Sequence, residues 1–239
     1  MDPDDLADAF AKIDWADTQI DALDQKLRGF LDQKPYRLRP VPDPEGRGLI
    51  YFFKTAAPVP RSIGVQTGAI IHAQRSALDL LACALAERNG HREPSDTYFP
   101  FAKSEQGLAD KRTRKKFRRL SEADQAAILG FRPFRGGNAL LYALHHLDLT
   151  DKHRKLLVCG IERGDAHVSG NGHIRLIALW DGPYTDGDPV ARWDADEGLQ
   201  LNITLSVSLA DVPDIGRPPV AEMLRKFSEM TRSILESFQ

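Results

Sequence analysis

Residues 62–90, SIGVQTGAIIHAQRSALDLLACALAERNG, decide the fold. The stretch contains no proline and ends on Gly90, so it reads as one long helix at 62–89 with a glycine stop. From Ala77 to Ala86 almost every position is apolar, which leaves no face for water. Such a helix must be surrounded by neighbours, and it is the expected centre of the molecule. Along it His72, Arg75, Asp79 and Cys83 follow at steps of three, four and four, which places them on one stripe. Charges carried toward a core need partners, because an ion stranded there is strongly destabilising.

The expected partner is the helix at 138–154. Its inner stripe of Leu140, Leu144 and Leu147 continues into Asp151 and Arg154, with His145, Asp148 and Lys152 on the adjacent stripe. The two central helices are therefore expected to pair, with Arg75, Asp79, Asp151 and Arg154 neutralising one another across the seam. Buried charge networks of this kind are either architectural or catalytic, and the candidate catalytic residues are Arg75, Asp79, Asp151, His153 and Arg154.

Two further long helices frame this pair. Leu6, Phe10, Ile13, Ile20, Leu23, Leu27 and Phe30 recur at helical spacing over 4–31. After Pro218 and Pro219, the residues Val220, Met223, Leu224, Phe227, Met230, Ile234 and Phe238 do the same, in a helix expected to cover a sheet face. Between 104 and 129 lie two shorter helices, the second opened by Ser121 with Asp124 three residues on. Residues 36–39 and 49–53 flank a Pro-Asp-Pro-Glu-Gly turn and predict a hairpin. Runs at 156–159, 173–179 and 199–209 predict further antiparallel strands. The expected fold is α+β, a single domain over 1–239: a helical core of two central and two terminal helices, packed with one antiparallel sheet over 155–210 joined by the hairpin.

The composition excludes several classes. With 32 Lys and Arg against 34 Asp and Glu in 239 residues, the chain is neither a polycation nor a polyanion, so any charged partner must be held by a local patch. The acidic start Met1-Asp2-Pro3-Asp4-Asp5 is unlike a secretory leader. Only Cys83 and Cys159 are present, both expected as small core residues, and a cytoplasmic setting fits. No phosphate-binding or dinucleotide loop, nucleophile elbow or cofactor signature occurs, so no cofactor is expected.

One patch stands out: Lys111, Arg112, Arg114, Lys115, Lys116, Arg118 and Arg119 put seven cations into nine residues, with Phe117 among them. Such a run can contact phosphates while Phe117 stacks or packs inward, or it can be a solvated helix face neutralised by the acidic N-terminal helix. His72, His145 and Asp148 offer nitrogen and oxygen ligands on two facing helices and are the candidate metal ligands.

Arg75-Ser76-Ala77-Leu78-Asp79, Phe99-Pro100, Phe131-Arg132-Pro133-Phe134 and Asp151-Lys152-His153-Arg154 together resemble a family of uncharacterised bacterial and phage-borne proteins with an R-S-A-L-D helix and a D-K-H-R helix end. The resemblance covers about residues 62–160, supports the helix pairing and implies no activity. Members often carry His directly after R-S-A-L-D, where this chain has Leu80. Arg followed by His at such spacing is also the loose signature of HEPN-type ribonucleases. Here that chemistry needs His72 or His153 beside Arg75. The functional expectations are thus a nucleic-acid-associated accessory or defence-type protein acting through 111–119, a HEPN-like ribonuclease, a metal-dependent enzyme, or a non-catalytic interaction module.

Overall fold

The protein is seen in a computed structural model that describes residues 5–46, 48–92, 95–153, 157, 159–209 and 212–239. The fold is α+β. Helix α1 (Ala7–Asp32) is followed by the hairpin β1 (Tyr36–Pro42) and β2 (Leu49–Thr55), then by the central helix α2 (Arg61–Arg88). Short helices α3 (Glu105–Leu108), α4 (Lys111–Lys115) and α5 (Glu122–Gly130) lead to α6 (Ala139–His153). Strands β3 (Cys159–Gly170), β4 (Ile174–Leu179), β5 (Pro189–Ala195) and β6 (Leu199–Leu209) precede the closing helix α7 (Val220–Glu236).

Helix α2 is the centre of the molecule because its all-round apolarity leaves it no alternative. It packs against α1, α6 and α7, and Ile63, Ile70, Ile71, Leu78, Leu81 and Leu85 are fully buried. Each such side chain contributes about 1.5–3 kcal/mol over its exposed state. By length and composition α2 would also suit a membrane span, yet 61% of its apolar window is buried inside the protein. The buried Gln74 ties α2 to α7 through its amide nitrogen: Nε2 donates to the Leu224 carbonyl at 2.8 Å and to Ser228 Oγ at 2.9 Å, while its Oε1 is buried without a partner among the described residues.

The carboxylates of α1 meet the arginines of α7. Arg232 pairs with Asp14 at 2.7 Å and Asp17 at 2.9 Å, and Arg225 pairs with Asp24 at 3.0 Å and Asp21 at 3.3 Å. Arg88 at the end of α2 joins the termini, donating to Asp5 Oδ1 at 2.6 Å and to the Phe238 carbonyl at 2.6 Å. Helix α7 was expected over a sheet face; it packs chiefly on α1, α2 and α6 and touches the strands through β6. Its stripe of Leu224, Phe227, Ile234 and Leu235 finds the larger apolar surface among the helices.

The strands form two antiparallel sheets where one was expected: β1-β2-β5-β4, and the separate pair β3-β6. The hairpin is in register from Tyr36↔Thr55 to Pro42↔Leu49, as its turn chemistry implies. Strand β5 was not anticipated, because Asp186, Gly187, Asp188 and Pro189 read as a continuing turn. Pro189 is tolerated there as the first residue of the strand. The strand expected at 156–159 meets the observed one only at its last residue: Leu157 is outside any strand and β3 starts at Cys159, running to Gly170 because the shift between Arg163 and Ala166 absorbs Gly164 and Asp165 as a bulge.

The cap of α5 is as read: Ser121 Oγ accepts from the Asp124 backbone N–H at 3.1 Å. Cys83 is a free thiol, half-buried with Sγ 3.7 Å from the Thr97 carbonyl, where full burial was expected. The Cys159 side chain lies outside the described residues.

Candidate functional site

The seam between α2 and α6 is built in levels. The helices run antiparallel, so that position 75 faces 145, 72 faces 148, 68 faces 151 and 64 faces 157. At the first level Arg75, 6% exposed, is held on all sides. It pairs with Asp79 at 2.7 Å, its Nε donates to His145 Nδ1 at 3.4 Å, and Nη2 donates to the Phe99 carbonyl at 3.4 Å. Its guanidinium carbon lies 4.5 Å from the centre of the Phe101 ring, a cation–π contact. Asp79 also accepts the Phe99 N–H at 2.9 Å, so the charge pair pins the loop 98–103 onto the helices.

At the second level the buried Asp148 takes His72 Nδ1 at 3.0 Å and Lys152 Nζ at 2.8 Å. At the third, Asp151 lies over Gly68, and a Cβ built at Gly68 would sit 2.4 Å from its Oδ2. Burial raises the Asp151 carboxyl above its ordinary range, against a lowering hydrogen bond from the Leu157 backbone.

This arrangement corrects the expected four-charge ring. Asp151 is six residues beyond His145, the position that faces Arg75, about 9 Å along a helix, so it belongs to another level. Arg75 is neutralised by Asp79 on its own helix. The His153 side chain and Arg154 lie outside the described residues. The metal expectation fails for the same geometric reason. His72 and Asp148 meet, but His145 is one turn away with its Nδ1 facing a cation, and among the described residues no three metal-ligating side chains converge.

His145 is the residue that touches Arg75, where His72 or His153 was anticipated. Its ring stacks on Phe101 at 4.2 Å and 7°. Burial first, then the charges of Arg75 and Lys116, push its pKa down to about 3. The unfolded imidazole takes up a proton near 6.5 and the folded one resists it to about 3. Its contribution to stability is therefore complete above about pH 6.5 and declines as pH falls toward 3. The expected result is that the wild type loses up to about 2 kcal/mol more stability between pH 7 and 5 than His145→Gln, which keeps an acceptor for Arg75. Parallel pH profiles from urea denaturation would show that the imidazole is not held neutral.

The basic run folds as α4 and the turn after it. Phe117 and Leu120 are buried, which anchors the segment and turns its cations outward. Lys111, Arg112, Arg114, Lys115 and Arg118 are exposed. Arg119 is different: it pairs with Asp96, its Nη1 donates to Thr97 Oγ1 at 3.4 Å, and its carbonyl accepts from Asn89 at 2.8 Å. Lys115 reaches the same Asp96 at 3.7 Å. Among the described residues, no carboxylate lies within ion-pair distance of Lys111, Arg112, Arg114, Lys116 or Arg118. Among the described residues no carboxylate of α1 pairs with the run, and Asp14, Asp17, Asp21 and Asp24 are engaged on α7.

Two clefts open along α6. One, about 330 Å³, is lined by Phe101, Lys103, Tyr142, His145, His146 and Leu149 among others. The other, about 460 Å³, shares Tyr142 and His146 and continues to Arg135, Asp214 and Ile215. The Tyr98 N–H donates to the Lys116 carbonyl at 2.8 Å, so the basic run and the loop that walls the first cleft are one connected unit. Phe101, Lys103 and Tyr142 were not singled out from the sequence; Phe99-Pro100-Phe101 was the available signal. No family model, curated protein or solved structure matches this chain. The R-S-A-L-D and D-K-H-R resemblance therefore adds nothing to what the residues themselves support.

Proposed function

We propose that this protein binds single-stranded nucleic acid in a cytoplasmic setting, through the face formed by residues 111–118 and the loop 98–103. The observation that carries the reading is the set of exposed cations at Lys111, Arg112, Arg114 and Arg118, which have no carboxylate partner among the described residues, on a segment locked in place by Phe117 and Leu120. On a protein of nearly balanced charge, such a cluster of exposed cations presents a local field suited to phosphates. A single strand is favoured over a duplex because α4 has five residues, too few to fill a major groove, while Tyr98 beside it is 46% exposed and free to stack on a base.

The rival readings have less support. A HEPN-like ribonuclease needs its arginine at the substrate, whereas Arg75 is buried against Asp79, Phe99 and Phe101. A metal-dependent enzyme needs a converging ligand set, and among the described residues His72 and Asp148 meet without His145 or any third ligating side chain joining them.

Changing Arg112, Arg114 and Arg118 together to Glu tests the proposal. Arg119 is left alone because it holds Asp96 and Thr97. Fluorescence anisotropy with a labelled RNA or DNA strand of about 20 nucleotides in ~50 mM salt is expected to show at least about a tenfold loss of affinity. The melting temperature should stay nearly constant, since exposed charges contribute little to stability. Unchanged binding by the triple variant, or no binding by the wild type, would overturn the reading.

A further inference from the structure

We infer that the cleft of about 330 Å³ between the loop 98–103 and α6 receives one unstacked base of the bound strand. The inference rests on the proposed binding of nucleic acid and names what the neighbouring cleft does. Its volume lies at the small end of ligand clefts, suited to a single planar ring system and not to a duplex. The lining is suited to such an occupant: Tyr142, His145 and His146, with Leu149, 42% exposed, as an apolar lip. Lys103 stands exposed at the rim, placed to meet the phosphate of the same nucleotide.

His145 gives the cleft a fixed hydrogen-bond character. Because its Nδ1 faces the Arg75 Nε–H, the proton of the neutral ring is on Nε2. The ring is thus a permanent donor for an oxygen or nitrogen on a base edge, and Phe101 stacked at 4.2 Å keeps it from turning. The same unit carries the basic run, since Tyr98 is hydrogen-bonded to Lys116. A strand lying along 111–118 is thereby delivered to the cleft mouth.

The test compares two single strands of equal length, one of uridines or thymidines and one fully abasic, in binding to the wild-type protein and to Leu149→Glu. Leu149 is exposed, so the substitution leaves the fold intact, and its charge acts on both strands alike. The wild type is expected to bind the base-bearing strand at least about tenfold more tightly, the scale of one stacked base. Leu149→Glu should bring that ratio close to one. Equal binding of the two strands by the wild type overturns the base cleft and leaves phosphate binding standing. A ratio that survives in Leu149→Glu also overturns it, by placing base recognition elsewhere. Absence of binding to either strand ends both readings together.

Discussion

Gly68→Ala is expected to destabilise the protein by about 3 kcal/mol, against the usual trend for helices. Alanine in place of glycine inside a helix ordinarily gains up to about 1 kcal/mol from backbone entropy. Here the new Cβ would lie 2.4–2.5 Å from Oδ2, Cγ and Oδ1 of Asp151, the carboxylate end of a partly buried side chain. To make room, Asp151 must turn away and give up its hydrogen bond with the Leu157 backbone, or α6 must move off α2 and loosen the packing of Leu144 and Leu147. Gly64, one turn earlier, faces the Leu157 carbonyl at 2.6 Å from its built Cβ, so Gly64→Ala should be comparably costly. Urea denaturation decides the matter, and a stabilised Gly68→Ala would show that the crossing is open. Removing the obstacle is a further check: Gly68→Ala with Asp151→Ala should recover much of the loss, which a double-mutant cycle reads as coupling.

Arg75→Ala is expected to lose about 3–5 kcal/mol, the range for breaking a buried ion pair from one side. The stranded group is Asp79, which keeps only the Phe99 N–H, and the space beside Phe101 is left empty. Arg75→Met fills that space without charge and should cost less. In both variants His145 loses the charge that ranks second among the causes of its depressed pKa, so it should protonate at higher pH. A loss below about 1 kcal/mol would mean that Arg75 is not holding the loop 98–103 to the helices.

Much of this architecture was legible because it depends on patterns within one segment. The length and all-round apolarity of 62–89 define a surrounded helix without reference to any other residue. The pairing of Arg75 with Asp79 follows from a spacing of four, and the Ser121 cap from a spacing of three. The offset between α2 and α6 was not legible. Two stripes of charge show that the helices face each other, but not which turn of one meets which turn of the other. Gly64 and Gly68 mark the closest approach, and that becomes readable only once Asp151 and Leu157 are seen against them. Strand β5 was hidden by Pro189 and its Asp-rich approach, and the length of β3 by the bulge at Gly164 and Asp165. The cleft was hidden for a different reason. Phe101, Lys103, Tyr142 and Leu149 are ordinary within their own segments and converge only because Asp79 draws the loop 98–103 over α6.

The direct test of nucleic-acid binding is its salt dependence. Phosphate contacts release counterions, so log affinity for a single strand should fall linearly with log salt, by about 0.7 for each phosphate engaged. With four exposed cations, Lys111, Arg112, Arg114 and Arg118, the slope should be about -3, and reversing the three arginines should flatten it by about 2. A slope near zero, or the same slope in the triple variant, would contradict the account and make residues 111–119 a solvated helix face.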